Sequence, residues 1–163
     1  MTDYEKLDAN SRVWIFQSDR ELSESEQQSV NGELTIFVDK WLSHGTLLKA
    51  HFKLLHKRFI VFFVDEEGDN MCGRAIDASV RFVKELEKEY DLSLLDRSRV
   101  AYLKNNNVES CTLDELTQRI EDGEVTQDTI MFNNLVPTKA EFEKSWMIPL
   151  SSSWHRAYVL QNQ

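Results

Sequence analysis

The chain is predicted to fold as an α+β protein built on a ferredoxin-like β-α-β-β-α-β sheet, with two helices on one face and a C-terminal α/β extension packed on it. Three observations lead there. Strand-like and helix-like segments follow one another in that order between residues 12 and 104. The segments RVWIFQ (12–17) and RFIVFFV (58–64) are apolar without alternation, as strands buried on both faces are. LKAHFKL (48–54) alternates apolar and basic residues, as a strand wet on one face does. The ferredoxin-like order 4-1-3-2 puts strands 1 and 3 in the middle and strand 2 at an edge, so order and burial pattern agree.

Each element carries a local signal. Ser23-Glu24-Ser25-Glu26 is a capping box that opens the first helix. Its apolar stripe runs Val30, Leu34, Phe37, Val38, Trp41 and Leu42. His44-Gly45 is expected to end it, glycine being the residue that accepts a left-handed C-cap. A tight Leu55-His56-Lys57 turn joins the second and third strands. The second helix is expected over 73–90, with Ile76, Ser79, Val80, Val83, Leu86 and Tyr90 inward, and Val100-Ala101-Tyr102-Leu103 supplies the fourth strand.

Beyond Lys104, Asn105-Asn106-Asn107 reads as a polar loop. Thr112-Leu113-Asp114-Glu115 is a second capping box, opening a short helix that Gly123 ends. DTIMFN (128–133) is a candidate fifth strand, and Thr138-Lys139-Ala140-Glu141 opens a helix toward Trp146. The tail SSSWHRAYVL is apolar enough to pack, so 1–163 is read as a single domain with a core at 12–104 and an integral extension at 105–163. The sheet face opposite the helices needs a cover, because leaving it bare exposes a large apolar patch. The extension is expected to supply one through Phe132, Phe142, Trp146 and Trp154, the other source being a second subunit, so the chain is a monomer or a homodimer. Any ligand site then moves to the end where strand 3 runs into helix 2.

Composition narrows the function classes. With 163 residues the chain is long enough to bury about 70% of its unfolded surface without disulfides or a metal. Its net charge of −9 argues against a nucleic-acid partner, because neutralising phosphates supplies most of such affinity. The apolar runs are far shorter than the roughly 20 residues that cross a bilayer, so no membrane insertion is expected. The start MTDYEKLDANSR has neither the basic nor the apolar region of a signal peptide, and the 2 cysteines, Cys72 and Cys111, are then read as reduced thiols in the cytoplasm.

The stretch GDNMCGRA (68–75) has the glycine spacing of a phosphate-binding loop. Arg74 stands where that loop needs Lys, Ala75 where it needs the Mg²⁺-binding hydroxyl, and Asp65, Glu66, Glu67 and Asp69 would repel a triphosphate. ATP hydrolysis is therefore not expected; Gly68 is read as a turn, with Asp69 or Asn70 capping the second helix. Cys72 falls near a helix N-terminus, where the dipole and Arg74 lower a thiol pKa while the acidic neighbours raise it. The balance is expected to leave Cys72 unreactive at neutral pH. His44, His51, His56 and His155 are the bases able to approach it in space. Asp77 is expected to pair with Arg97, as an ion pair or, with Arg74, as ligand-binding residues. No His or Cys spacing suits zinc, and the DEEGD loop lacks the alternating ligands of a Ca²⁺ loop, so no metal and no cofactor are expected.

Trp41 with His44-Gly45, the strand FIVFFVDE, Cys72 with Ile76-Asp77-Ala78-Ser79, Leu86-Glu87, Leu95-Asp96-Arg97 and Ser153-Trp154 resemble a set of short bacterial proteins of unassigned function. Members of that set often carry the label "ABC transporter ATPase". This sequence has no Walker A Lys, no Ser or Thr after it, and no Leu-Ser-Gly-Gly-Gln stretch. The resemblance implies a cytoplasmic protein and transfers no catalytic residue. The expected function is binding of a small molecule or a protein, without a catalytic constellation of its own. The alternative is a small enzyme or redox protein using Cys72, with His44 or Asp77.

Overall fold

The computed structural model describes residues 1–66 and 72–161. The chain is α+β, with helices set against antiparallel sheets. It divides into two compact units, Met1–Leu95 with Pro137–Ala140, and Asp96–Val136 with Glu141–Gln163. The expected division after Lys104 thus falls earlier, after Leu95.

In the first unit, β1 (Arg12–Gln17), β4 (Lys49–Leu55) and β5 (Phe59–Asp65) form a sheet in the order β1-β5-β4. Both pairings are antiparallel, with Phe16 opposite Ile60 and Phe52 opposite Phe62. Every residue from Phe59 to Val64 is buried, whereas β4 is exposed or half-buried at alternate positions along its first half. The central strand and the wet edge strand are those the alternation pattern marks. α1 (Glu24–Asp39) and α2 (Gly73–Tyr90) pack on one face, where Val30, Leu34, Val38, Ala75, Val83 and Leu86 meet Phe16, Ile60, Phe62 and Val64. Losing a ring such as Phe62 from this core costs about 3–5 kcal/mol by the usual scale for Phe→Ala.

The sequence order and this sheet part company at the fourth strand. β6 (Arg99–Lys104) does not extend the sheet beside β1; it belongs to the second unit. The reason is local. Asn105 and Asn106 both adopt positive φ (51° and 64°), the geometry of a two-residue hairpin turn, and return the chain directly into β7 (Asn107–Thr112). The edge of β1 is met instead by the crossing segment: Arg12 bridges Thr138, Val13 N–H donates to Pro137 O at 3.0 Å, and Lys139 N–H to Ser11 O at 2.8 Å.

On the sheet face away from the helices, the first unit supplies part of its own cover. Tyr4, in a 3-10 turn over Tyr4–Lys6, meets Phe63 edge-on at 5.0 Å. The Lys53 and Lys139 ammonium groups lie 3.5 and 4.5 Å from the Tyr4 ring centroid. No residue of this N-terminal turn stood out by periodicity.

Two helix details differ from expectation. α1 ends at Asp39, so Trp41 and Leu42 lie beyond it. The buried stripe of α2 is Ala75, Ser79, Val83 and Leu86, which turns Ile76 outward at 38% exposure. The capping boxes at Ser23 and Thr112 are both formed.

In the second unit the sheet order is β7-β6-β8-β9, with β8 (Ile130–Phe132) and β9 (Met147–Pro149). α3 (Leu113–Glu121), followed by Gly123 at φ 77°, and α5 (Trp154–Gln161) supply Leu116 and Val159 to a core with Val100, Tyr102, Cys111 and Met131. α4 (Lys139–Ser145) carries Phe142, which stacks on Trp146 at 4.8 Å, and Trp146 meets Phe132 at 5.0 Å. Among the described residues, no helix is long and apolar enough to cross a membrane.

Candidate functional site

The site begins with a hairpin. β2 (Leu42–Ser43) and β3 (Thr46–Leu47) pair across His44 and Gly45, whose φ angles of 50° and 78° are both positive. Two consecutive positive φ values match the right-handed twist of the flanking strands, so this pair turns a hairpin instead of capping α1. Trp41 anchors the hairpin base. Its indole is 2% exposed, and its Nε1–H donates to the Ala75 carbonyl in the first turn of α2 at 2.9 Å. Trp41 is held in turn by Phe37 at 5.0 Å and Phe62 at 5.5 Å. The aromatic core therefore fixes Ser43 and His44 over the start of α2.

Cys72 occupies the N-cap position of α2, the place the sequence suggested for Asp69 or Asn70. Gly68, Asp69 and Asn70 themselves lie outside the described residues. The Cys72 main-chain N–H donates to Ser43 Oγ at 3.2 Å, and its carbonyl accepts from Ala75 N–H at 3.0 Å. The Ser43 hydroxyl and the His44 and Ala75 main-chain N–H groups are the polar groups near the Cys72 sulfur that favour its charged form. Their influence, Ser43 first, brings its pKa down to about 7. Donors that reach the charged form favour it, and the helix N-terminus acts in the same direction.

The expectation of an inert Cys72 rested on four acidic neighbours. Of these, Glu66 pairs with Arg12 at 3.4 Å, Asp65 stands across the ladder from Lys49, and Glu67 and Asp69 lie outside the described residues. The Cys72 thiol is lowered nonetheless, by neighbouring polar groups that no spacing in the sequence announces. Cys111 shows the opposite environment in the same chain. It has no exposed surface, and burial pushes its thiol up to about 11.

Around Cys72 is a cavity of about 810 Å³, lined by Leu42, His44, Gly45, Gly73, Arg74 and Asp77. The structure thus brings together Cys72, His44, Arg74 and Asp77, four of the five residues singled out by sequence. Arg97 belongs to the second unit, where Asp96 accepts from Ser98 in a local turn. Of the other histidines, His51 Nδ1 meets the Thr2 carbonyl at 3.0 Å, and His56 sits in the β4–β5 turn. His155 is buried in the second unit against Ser153 Oγ, and burial lowers its pKa to about 4. Among the described residues, no three His, Cys, Asp or Glu side chains are grouped so as to hold a metal ion.

Beside this cavity lies a second one, of about 490 Å³, between α1 and α2. Ile36, Phe37, Trp41, Leu42, Ala78 and Phe82 make its apolar lining, with Glu33 and Lys40 at its polar margin. Phe37 and Phe82 stack at 4.4 Å to form its floor. Leu42 lines both cavities, and the neighbours Asp77 and Ala78 line one each.

Sequence reasoning did not find Ser43 or this groove. The available signal was Ile36, an apolar residue off the buried stripe of α1 and 58% exposed. Comparison of the chain with protein-family models, with curated proteins and with solved structures finds no match.

Proposed function

We propose that the protein binds an electrophilic small molecule in the cavity around Cys72 and that the Cys72 thiolate attacks it. The observation that carries this reading is the placement of Cys72 at the N-cap of α2, beside Ser43 and on the wall of a cavity that His44, Arg74 and Asp77 also line. A thiol with a pKa of about 7 is roughly half ionised at neutral pH, and the thiolate is the nucleophilic form. Arg74 and Asp77 are then ligand-orienting groups at the cavity wall, and His44 is the side chain placed to exchange protons. The chemistry is nucleophilic capture in place of disulfide redox cycling, because Cys111 has no exposed surface and cannot serve as the resolving thiol.

Such a thiol suits a reducing compartment, which is consistent with a cytoplasmic bacterial protein. Nucleotide hydrolysis does not fit, since Arg74 and the buried Ala75 stand where Lys and a hydroxyl are needed. A second reading, binding without chemistry, is favoured by the apolar groove alone.

The test is the iodoacetamide rate of Cys72 against pH, for the wild type and for Ser43→Ala. The proposal expects an inflection near pH 7 that rises in the variant. An inflection at the free-thiol value of about 8.5 in both proteins would leave binding without chemistry.

A further inference from the structure

We propose that the groove between α1 and α2 seats the apolar chain of an acyl thioester whose carbonyl reaches Cys72, making this an acyl-accepting site. The inference rests on the nucleophile reading above and names its substrate class.

Three observations carry it. First, groove and cavity adjoin along the same two stretches, residues 33–45 and 72–82, and Leu42 belongs to both walls. A ligand lying along them has its chain against Ile36, Phe37 and Phe82 and its head at Cys72. Second, the groove has the volume and the mostly apolar lining of a small-molecule site, about 490 Å³ against the usual range of roughly 300–1,000 Å³. Ile36 and Leu42 remain 58% and 49% exposed. Burying them under an alkyl chain removes apolar surface from water on both sides. Third, the polar end of the site suits a thioester. Arg74 has no ion-pair partner among the described residues and lines the cavity, where it can meet a polar carrier. A low-pKa thiol is also a good leaving group, so an acyl chain taken up on Cys72 can be passed on to a second acceptor.

The step balances without an oxidant or a metal. The Cys72 sulfur forms a bond to the carbonyl carbon, and the carbonyl π electrons move to oxygen. They return as the carbon–sulfur bond of the incoming thioester breaks. The departing thiolate takes a proton from water, and the acyl group remains on Cys72 as a new thioester.

The experiment uses the full chain and two probes, the S-octanoyl and S-acetyl thioesters of N-acetylcysteamine. Acylation of Cys72 is followed by intact-protein mass and by loss of the adduct in Cys72→Ser. The octanoyl probe is expected to react about tenfold faster or more, the scale of two or so seated methylenes. Ala78→Trp, which fills the groove, and Ile36→Glu, at an exposed position, should each bring the ratio toward one, with circular dichroism confirming the folded state. Equal rates for the two probes on the wild type, or an octanoyl preference that survives both substitutions, would overturn the chain site. Iodoacetamide keeps the two readings apart. A normal iodoacetamide profile with equal thioester rates removes only the acyl inference, whereas an inflection near 8.5 removes the nucleophile itself.

Discussion

Trp41→Phe is the substitution that most directly links the core to the site. The indole Nε1–H to Ala75 O hydrogen bond, 2.9 Å long and buried, ties the hairpin base to the first turn of α2. Its loss costs about 1 kcal/mol, since the Ala75 carbonyl also belongs to the helix ladder. The second ring of the indole leaves a void beside Phe37 and Phe62 that contributes about a further 1–2 kcal/mol. The variant should therefore lose about 2–3 kcal/mol. Urea unfolding followed by far-ultraviolet circular dichroism measures this, because fluorescence changes with the substitution itself. The Leu48 N–H to Trp41 O bond is made by main chain and survives, so the hairpin persists but is less firmly held over Cys72. The Cys72 pH–rate inflection should then move up toward the free-thiol value. An unchanged unfolding midpoint together with an unchanged inflection would refute the idea that Trp41 positions Ser43 and His44.

Other outcomes follow from the same structure. His155 is neutral when folded, with its pKa at about 4 against 6.5 for the free side chain. As pH falls below 6.5 the unfolded chain gains a proton that the folded chain refuses until about 4, so stability drops by about 3 kcal/mol across that window. Comparing urea midpoints of wild type and His155→Gln over pH 4–7 isolates this slope; parallel curves would contradict it. Asn106→Gly should stabilise the β6–β7 hairpin by about 0.5 kcal/mol, because Asn106 sits at φ 64°, and a lower melting temperature would argue against that turn geometry. Calorimetry with MgATP should show no saturable binding; micromolar affinity lost in Gly73→Trp would reopen the nucleotide reading.

Much of the first unit was legible in the sequence because its signals are local or periodic. The unbroken apolar runs at 12–17 and 59–64 marked strands buried on both faces, and the box at Ser23 marked a helix start, as the box at Thr112 did in the second unit. What failed were motifs with two physical uses. Gly45 after His44 suits a helix C-cap and a hairpin turn equally, and only the packing of Trp41 selects the second. Asn105-Asn106 reads as loop composition until both residues are seen at positive φ. β1's edge partner was out of reach because strand pairing is a long-range choice that the alternation of β6 does not encode.

The site divides in the same way. Cys72, Arg74 and Asp77 were visible as chemistry-bearing residues near one helix start, and His44 only as one of four histidines able to approach them in space. Ser43 acquires its role only through the hairpin, and the groove exists only once Phe37 stacks on Phe82.

The central claim is that Ser43, His44 and Ala75 lower the Cys72 pKa to about 7, so that about half of the thiol is ionised at neutral pH. The most direct measurement is an ultraviolet thiolate titration of the Cys111→Ala protein, with the Cys72→Ser, Cys111→Ala double variant subtracted. The account predicts a single transition near pH 7. A transition at about 8.5 or above, the value of an unassisted thiol, would contradict it.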